Sequence, residues 1–234
     1  MTESQKTLSL WESAPDMKRD DSMPLDSLEQ ILESLAIPFC QYPKICGIDE
    51  AGRGCVAGSL FVCGVVLQSP SQSLLNRIKD SKKLSQSVRD SLSGEIKSCA
   101  QFHLVKKTSQ QIDAKGLSAC IKESLLEILA HLNAPFYVFD GNCAFGIPHL
   151  KTLVKGDSKL HSISAASILA KSAKDAEMKS LHAEFPQYDF AHNKGYCTKA
   201  HLNAIAQNGF CVAHRKTYHL KSLATPNFFE NFYI

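Results

Sequence analysis

Apolar residues recur along this chain with two different periods, and the places where the period changes mark its elements. Leu28, Ile31, Leu32 and Leu35 fall at helical spacing and predict a short helix from Pro24 to Leu35, ended by Pro38 and Pro43. Ile45 to Asp49 is a short apolar run that ends on charge, which reads as a strand. Leu60 to Leu67 is an almost unbroken run of β-formers and predicts a strand in the middle of a sheet, covered on both faces. A helix over Ser85 to Cys99 leads to a third strand, Gln101 to Lys107. Leu117, Ile121, Leu125, Ile128 and Leu132 then form one stripe along a helix. That helix delivers the chain to Phe136–Asp140, a strand that again ends in an acid. A fifth strand, Leu150 to Val154, runs into Lys155-Gly156-Asp157, and the next helix carries Ala165, Ile168, Leu169, Ala173 and Ala176 on one face. Helical and turn segments fill the rest. This order predicts the α/β class, with a mixed sheet and helices on its faces.

Composition narrows the picture. With 44% hydrophobic and 21% charged residues, a chain of 234 residues can bury a core without disulfides or a structural metal. Residues 1 to about 25 are polar and mixed in charge, so they read as a flexible lead rather than a signal peptide. The expected organisation is an N-terminal extension, residues 1–44, and one domain, residues 45–234. The nine cysteines contain no Cys-x-x-Cys pair, which predicts free thiols and a reducing, cytoplasmic compartment. Cys211 and His214 have a Cys-x-x-His spacing, but no second pair stands near them to complete a zinc site. No apolar stretch is long enough to cross a membrane. The net charge of +3 says little, but its distribution says more: Lys151 to Lys221 holds 11 Lys and Arg against 5 Asp and Glu. Such a segment suits phosphates, although it equally suits a solvated helix face.

The chemistry concentrates at strand ends. Asp49 and Glu50 close the first strand, Asp140 closes the fourth, and Asp157 follows the fifth. Sites in open α/β sheets gather at the carboxyl ends of strands. A single acid there reads more simply as a turn residue. Four at corresponding positions repel one another unless a cation neutralises them, and hard oxygen ligands suit Mg²⁺ or Mn²⁺. Two such ions could activate water and stabilise a leaving oxygen. Gly52-Arg53-Gly54 follows the first acids directly; its glycines admit a close ligand and Arg53 can address a phosphate. On the glycines alone it is a plain turn. Asp80-Ser81-Lys82-Lys83-Leu84 and His192-Asn193-Lys194-Gly195-Tyr196-Cys197-Thr198 mix cations with hydroxyl donors, and Tyr196 could stack on a sugar or base.

Taken together, Gly47-Ile48-Asp49-Glu50-Ala51-Gly52-Arg53-Gly54, Asp80-Ser81-Lys82-Lys83-Leu84, Asp140-Gly141-Asn142, Lys155-Gly156-Asp157, Ile163 to Lys171 (Ile-Ser-Ala-Ala-Ser-Ile-Leu-Ala-Lys) and Lys194-Gly195-Tyr196 resemble, in order, the pattern of bacterial ribonuclease HII. The resemblance implies an RNase H-like five-stranded sheet flanked by helices, with a C-terminal helical extension. It implies endonucleolytic cleavage of RNA in RNA–DNA hybrids and 5′ to a single ribonucleotide in duplex DNA, with two Mn²⁺ or Mg²⁺ ions as cofactors. Asp49, Glu50, Asp140 and Asp157 would be the catalytic, metal-binding acids. Gly52, Arg53 and Gly54 would read the ribose 2′-hydroxyl, Tyr196 would pack on the neighbouring deoxyribose, and Lys82 would join the substrate contacts. The expected partners are the hybrid and ribonucleotide-containing duplexes, with no membrane, and the expected state is a monomer. Two positions depart from the pattern: Cys55 stands where the family usually has Pro, and Cys197 where it often has Gly. Arg53, where the sister type HIII carries Lys, and the short lead favour type HII. A transposase or integrase would share the fold but needs further DNA-binding domains. A non-catalytic hybrid-binding module would not need four acids.

Overall fold

The computed structural model describes residues 25–78 and 84–218. Five strands form one sheet: β1 (Ile45–Ala51), β2 (Leu60–Leu67), β3 (Ala100–Lys107), β4 (Phe136–Asp140) and β5 (Leu150–Leu153), in the order β3-β2-β1-β4-β5. The first three strands are antiparallel neighbours, and β1 pairs parallel with β4, as β4 does with β5. All five strands predicted from the sequence are present. β1 runs two residues further than expected, so Asp49 and Glu50 lie inside it, paired with Cys63 and Val62 of β2.

The helices in chain order are α1 (Leu25–Ser34), α2 (Gln72–Ile78), α3 (Gln86–Cys99), α4 (Ser109–Lys115), α5 (Leu117–His131), α6 (His161–Glu184), α7 (Phe190–Asn193) and α8 (Lys199–Asn208). Ser85 caps α3 through its side chain. Thr108 and Gln111 close a capping box on α4, a short helix that hydrophobic spacing did not announce.

The sheet separates two cores because β1 and β2 are apolar on both faces. Cys46, Ile48, Leu60 and Val62 pack against Ile121, Leu125 and Ile128 of α5 on one side. Phe61, Cys63 and Val65 pack against α2, α3 and Ala165, Ile168 and Leu169 of α6 on the other. Leu32, Leu35 and Ile37 extend this second side over Val138 and Leu153, so α1 is seated on the domain. α6 lies very close to β1: a Cβ on Gly47 would meet the backbone of Ser162 and Ile163 at 2.3 Å. Further along α6 the expected apolar face fails. Ala176 is exposed, and the buried positions are Lys174, Asp175 and Met178. There the helix has left the sheet: Asp175 pairs with Arg89 at 2.6 Å, and Met178 enters a separate cluster with Ala57, Tyr188, Phe190, Ile205 and Ala213. No helix among the described residues is long and apolar enough to cross a membrane.

Candidate active site

Parallel pairing of β1 with β4 brings the first acids together. Ile48 is in register with Phe139, so Asp49 and Asp140 follow side by side, on the sheet face covered by α6. The close seat of α6 then puts Ser167 against Asp49, whose carboxylate accepts the Ser167 hydroxyl proton, while Lys171 Nζ donates to Ser167 Oγ at 2.7 Å. Asp49 Oδ1 also accepts the Glu50 amide at 2.8 Å. Asp140 Oδ1 accepts the Gly156 amide at 2.9 Å, which ties β4 to the turn carrying Asp157. That turn is tight: Lys155 is left-handed, Gly156–Ser158 is one 3₁₀ turn, and Ser164 Oγ of α6 donates to the Asp157 carbonyl at 2.5 Å.

Burial and mutual repulsion make this a costly arrangement of charge. Burial first, then the neighbouring Glu50 and Asp140 charges, push Asp49 up to about 7, against the lowering effect of Ser167. Burial likewise raises Glu50, opposed by Arg53, whose Nη1 lies 3.4 Å from Glu50 Oε1. Glu50 Oε2 is buried with no partner. A divalent cation is a group that relieves both conditions, so the donor set fits one. Among the described residues no three acid, His or Cys side chains converge on a single ion position. The acids present suit a cation that keeps waters and takes substrate oxygens as further ligands.

The loop after β1 has two glycines of different kinds. Gly52 is obligatory for the fold, with φ of 93° and the Ser59 carbonyl 2.6 Å from where a Cβ would sit. Gly54 is not: it has no positive φ, and a Cβ there would meet open space. Among the described residues nothing demands glycine at 54, and the open space there admits a close ligand. Arg53 projects outward beside it, about half exposed.

Tyr196 reaches the same end of the molecule from the C-terminal part. Its ring is 49% exposed and lies over Lys174 Nζ at 4.2 Å. Its loop is stitched to the glycine loop, since the Val56 and Ala57 amides donate to the Gly195 carbonyl at 2.8 and 3.2 Å. Cys55, buried, points its thiol at the Lys194 carbonyl at 3.5 Å, and Cys197 is exposed. Lys82, with Asp80, Ser81 and Lys83, lies outside the described residues.

Sequence reasoning passed over several residues here. Ser167 lies within a motif segment, and its spacing of four from Lys171 puts the two on one helix face. In the sequence His201 and Arg215 stand out only as members of a basic segment, and His214 only as half of an incomplete Cys-x-x-His pair. All three are buried. Cys211 and His214 do meet, but His214 faces His201 rather than a second metal-binding pair.

Sheet order, the acids on β1 and β4, and the helix laid across them define an RNase H-like α/β fold. A structure with the same fold, the ribonuclease HII of Archaeoglobus fulgidus in complex with PCNA, superposes with a TM-score of 0.65 at 29% identity, covering 76% of this chain and 96% of that one. A ribonuclease HIII (Bst) in complex with Mn²⁺ shares the fold at a TM-score of 0.57 and 15% identity, over 89% of this chain and 74% of that one. The family model for ribonuclease HII matches residues 46–222. The ribonuclease HII of Campylobacter hominis is 49% identical over 183 residues, which is 77% of this chain and 96% of that protein. The chain belongs to the ribonuclease HII family and is a ribonuclease H.

Proposed function

We propose that this ribonuclease H hydrolyses the RNA strand of RNA–DNA hybrids and cuts duplex DNA on the 5′ side of a single embedded ribonucleotide. The observation that carries this reading is the juxtaposition of Asp49, Glu50 and Asp140 with a buried, unpartnered Glu50 oxygen, directly before a loop whose Gly54 is required by none of the described residues. Asp49, Glu50, Asp140 and Asp157 would hold two Mg²⁺ or Mn²⁺ ions, which would activate a water and stabilise the leaving oxygen.

The chain's own groups do the rest. Ser167 and Lys171 hold Asp49 from the α6 side, so its carboxylate keeps one orientation as charge builds. The Gly156 amide does the same for Asp140. The glycine loop presents backbone groups and Arg53 to the nucleotide beside the scissile phosphate. RNA and DNA differ there by one hydroxyl, which both donates and accepts. A site built to bond that hydroxyl rejects its absence on the order of 10⁴-fold. Tyr196, held over Lys174, offers its exposed ring to a sugar lacking the hydroxyl, so the pair reads an RNA-to-DNA step.

The test is cleavage of duplex DNA with and without one ribonucleotide, in Mg²⁺ and in EDTA. Cutting is expected only with the ribonucleotide and the metal. Cutting of all-DNA duplex, or undiminished cutting in EDTA, defeats the proposal. Tyr196→Ala is expected to lose most activity on the single-ribonucleotide duplex and less on a long hybrid; equal losses would remove Tyr196 from junction reading.

A further inference from the structure

Two neighbours in sequence, His214 and Arg215, each grip one of the two loops that reach the sugar side of the site. Arg215 is 1% exposed and has its guanidinium among backbone carbonyls. Its Nη2 donates to the Gly52 carbonyl at 2.7 Å and to Gly58 at 3.0 Å, its Nε to Gly58 at 3.1 Å, and its Nη1 to Arg53 at 3.2 Å. Nη1 also reaches the Tyr218 hydroxyl at 3.2 Å. A buried arginine spent on three carbonyls of one loop fixes that loop's path with its rigid fork.

His214 works in the other direction, through His201. The Cys211 amide can only donate, and it lies 3.0 Å from His214 Nδ1, so that nitrogen accepts. The Tyr196 carbonyl can only accept, and it lies 2.8 Å from His201 Nδ1, so that nitrogen carries a proton. Between them the two Nε2 atoms are 3.1 Å apart. Only one assignment satisfies every partner: His214 Nε2–H donates to His201 Nε2, and both rings are neutral. Burial, which depresses both rings and takes His214 down to about 4, agrees with this. The rings are walled by Tyr188 and Phe190. The Tyr196 carbonyl also takes the Thr198 amide at 2.9 Å, but that bond is local to the turn, whereas the His201 bond connects it to His214. The dipeptide is pinned in turn by the Arg215 amide on the Val56 carbonyl at 2.9 Å.

We propose that Arg215 and His214 are positioning residues: Arg215 sets the glycine loop that meets ribose in every substrate, and His214, through His201, sets Tyr196 against that loop and thereby how well the enzyme distinguishes a lone ribonucleotide from continuous RNA. The proposal rests on the reading of these loops as the ribose and deoxyribose contacts. Its decisive experiment is a pair of substrates, the single-ribonucleotide duplex and a long hybrid, cut by a set of folded variants.

His201→Phe keeps a ring in the aromatic pocket but cannot donate to Tyr196. It is expected to lower cleavage of the single-ribonucleotide duplex about tenfold, the size of one lost buried hydrogen bond, and to spare the long hybrid. His201→Asn, whose amide nitrogen can replace Nδ1, is expected to restore most of that loss. Tyr196→Ala/His201→Phe is expected to cut no worse than Tyr196→Ala alone, because the relay acts only through Tyr196. Arg215→Lys, which keeps charge but not the fork, is expected to weaken both substrates, since the glycine loop meets ribose in each. Equal losses on both substrates for His201→Phe, or losses that add to those of Tyr196→Ala, would overturn the proposal. Should His201→Phe not fold, His214→Phe carries the same comparison, for it removes the donor that fixes the His201 tautomer. If Tyr196→Ala alone hits both substrates equally, the junction reading fails, and the double variant still decides whether His201 acts through Tyr196.

Discussion

At the acid end of the site, Asp49 and Asp140 stand on adjacent strands of the central sheet, placed by backbone pairing and by a helix that touches β1. At the end proposed to meet the sugar, Gly54 and Tyr196 stand on loops, placed by buried side chains that bond to loop carbonyls. The first region spends stability: it gathers like charges and leaves a carboxylate oxygen unpartnered. The second is satisfied throughout, with each ring nitrogen of the His pair matched and four guanidinium–carbonyl bonds made by Arg215. Strain is tolerated where a ligand relieves it, and precision in a loop is obtained by wiring it to the interior.

This contrast can be broken at several points. The largest effect is expected from Asp140→Asn, which keeps an oxygen for the Gly156 amide and removes only charge. Cleavage should fall by on the order of 10²–10³ or more, while hybrid binding and melting temperature stay near wild type. A variant that still cuts at wild-type rate in Mg²⁺ places the site elsewhere. Gly54→Ala should act at the proposed sugar end, lowering cleavage about tenfold or more while stability stays within about 0.5 kcal/mol, because none of the described residues fills that space. A stability loss without an activity loss would return Gly54 to an ordinary turn.

Asp49→Asn sharpens the comparison through stability. The folded-state value of Asp49, about 7, lies above its ordinary one, so the contribution of its protonated form is present at low pH and is lost as pH rises through about 7. Metal-free protein at pH 8 therefore carries a penalty, and the Asn variant should be more stable there by on the order of 2 kcal/mol, measured by denaturation in EDTA. No gain would mean the acids are better solvated than their burial implies. The His pair should behave oppositely. Its folded values are depressed, so its contribution is full above about pH 6.5 and is lost as pH falls toward 4. The Cys211 thiol faces His214 at 3.1 Å, and Lys216 adds to its depression. Melting temperature between pH 6.5 and 4 should fall less in His214→Phe than in wild type. Least in size, affinity for a hybrid should weaken steeply with salt if the lysines from 151 to 199 face phosphates.

The two regions also differed in how far they could be read from the chain. The acids were visible because each stands at the end of an apolar run or in the turn just after one, which is a strong local signal, and β1, β4 and β5 lie where that signal puts them. α2 and α4 were missed, being seven-residue helices too short to show a period. The expected apolar face of α6 held at Ala165, Ile168 and Leu169, which meet the sheet. It failed at Ala176, because beyond the sheet the helix buries Lys174 and Asp175 against an aromatic ring and an arginine, partners that no hydrophobic pattern encodes. For the same reason Arg215 passed for surface charge. Its burial is sustained by carbonyls of Gly52, Arg53 and Gly58, and only the fold brings those within reach.

The bond from Arg215 to the Gly52 carbonyl spans 163 residues of chain. During synthesis the β1–β2 hairpin leaves the ribosome long before its fastening exists. At roughly 5–20 residues per second, the glycine loop waits on the order of 10–30 s for Arg215 to be made. Asp140 reaches Asp49 sooner, and so the acids can assemble while the sugar-facing loops are still loose. On the proposed reading of these loops, the order of translation makes substrate discrimination the last property this nuclease acquires as it folds.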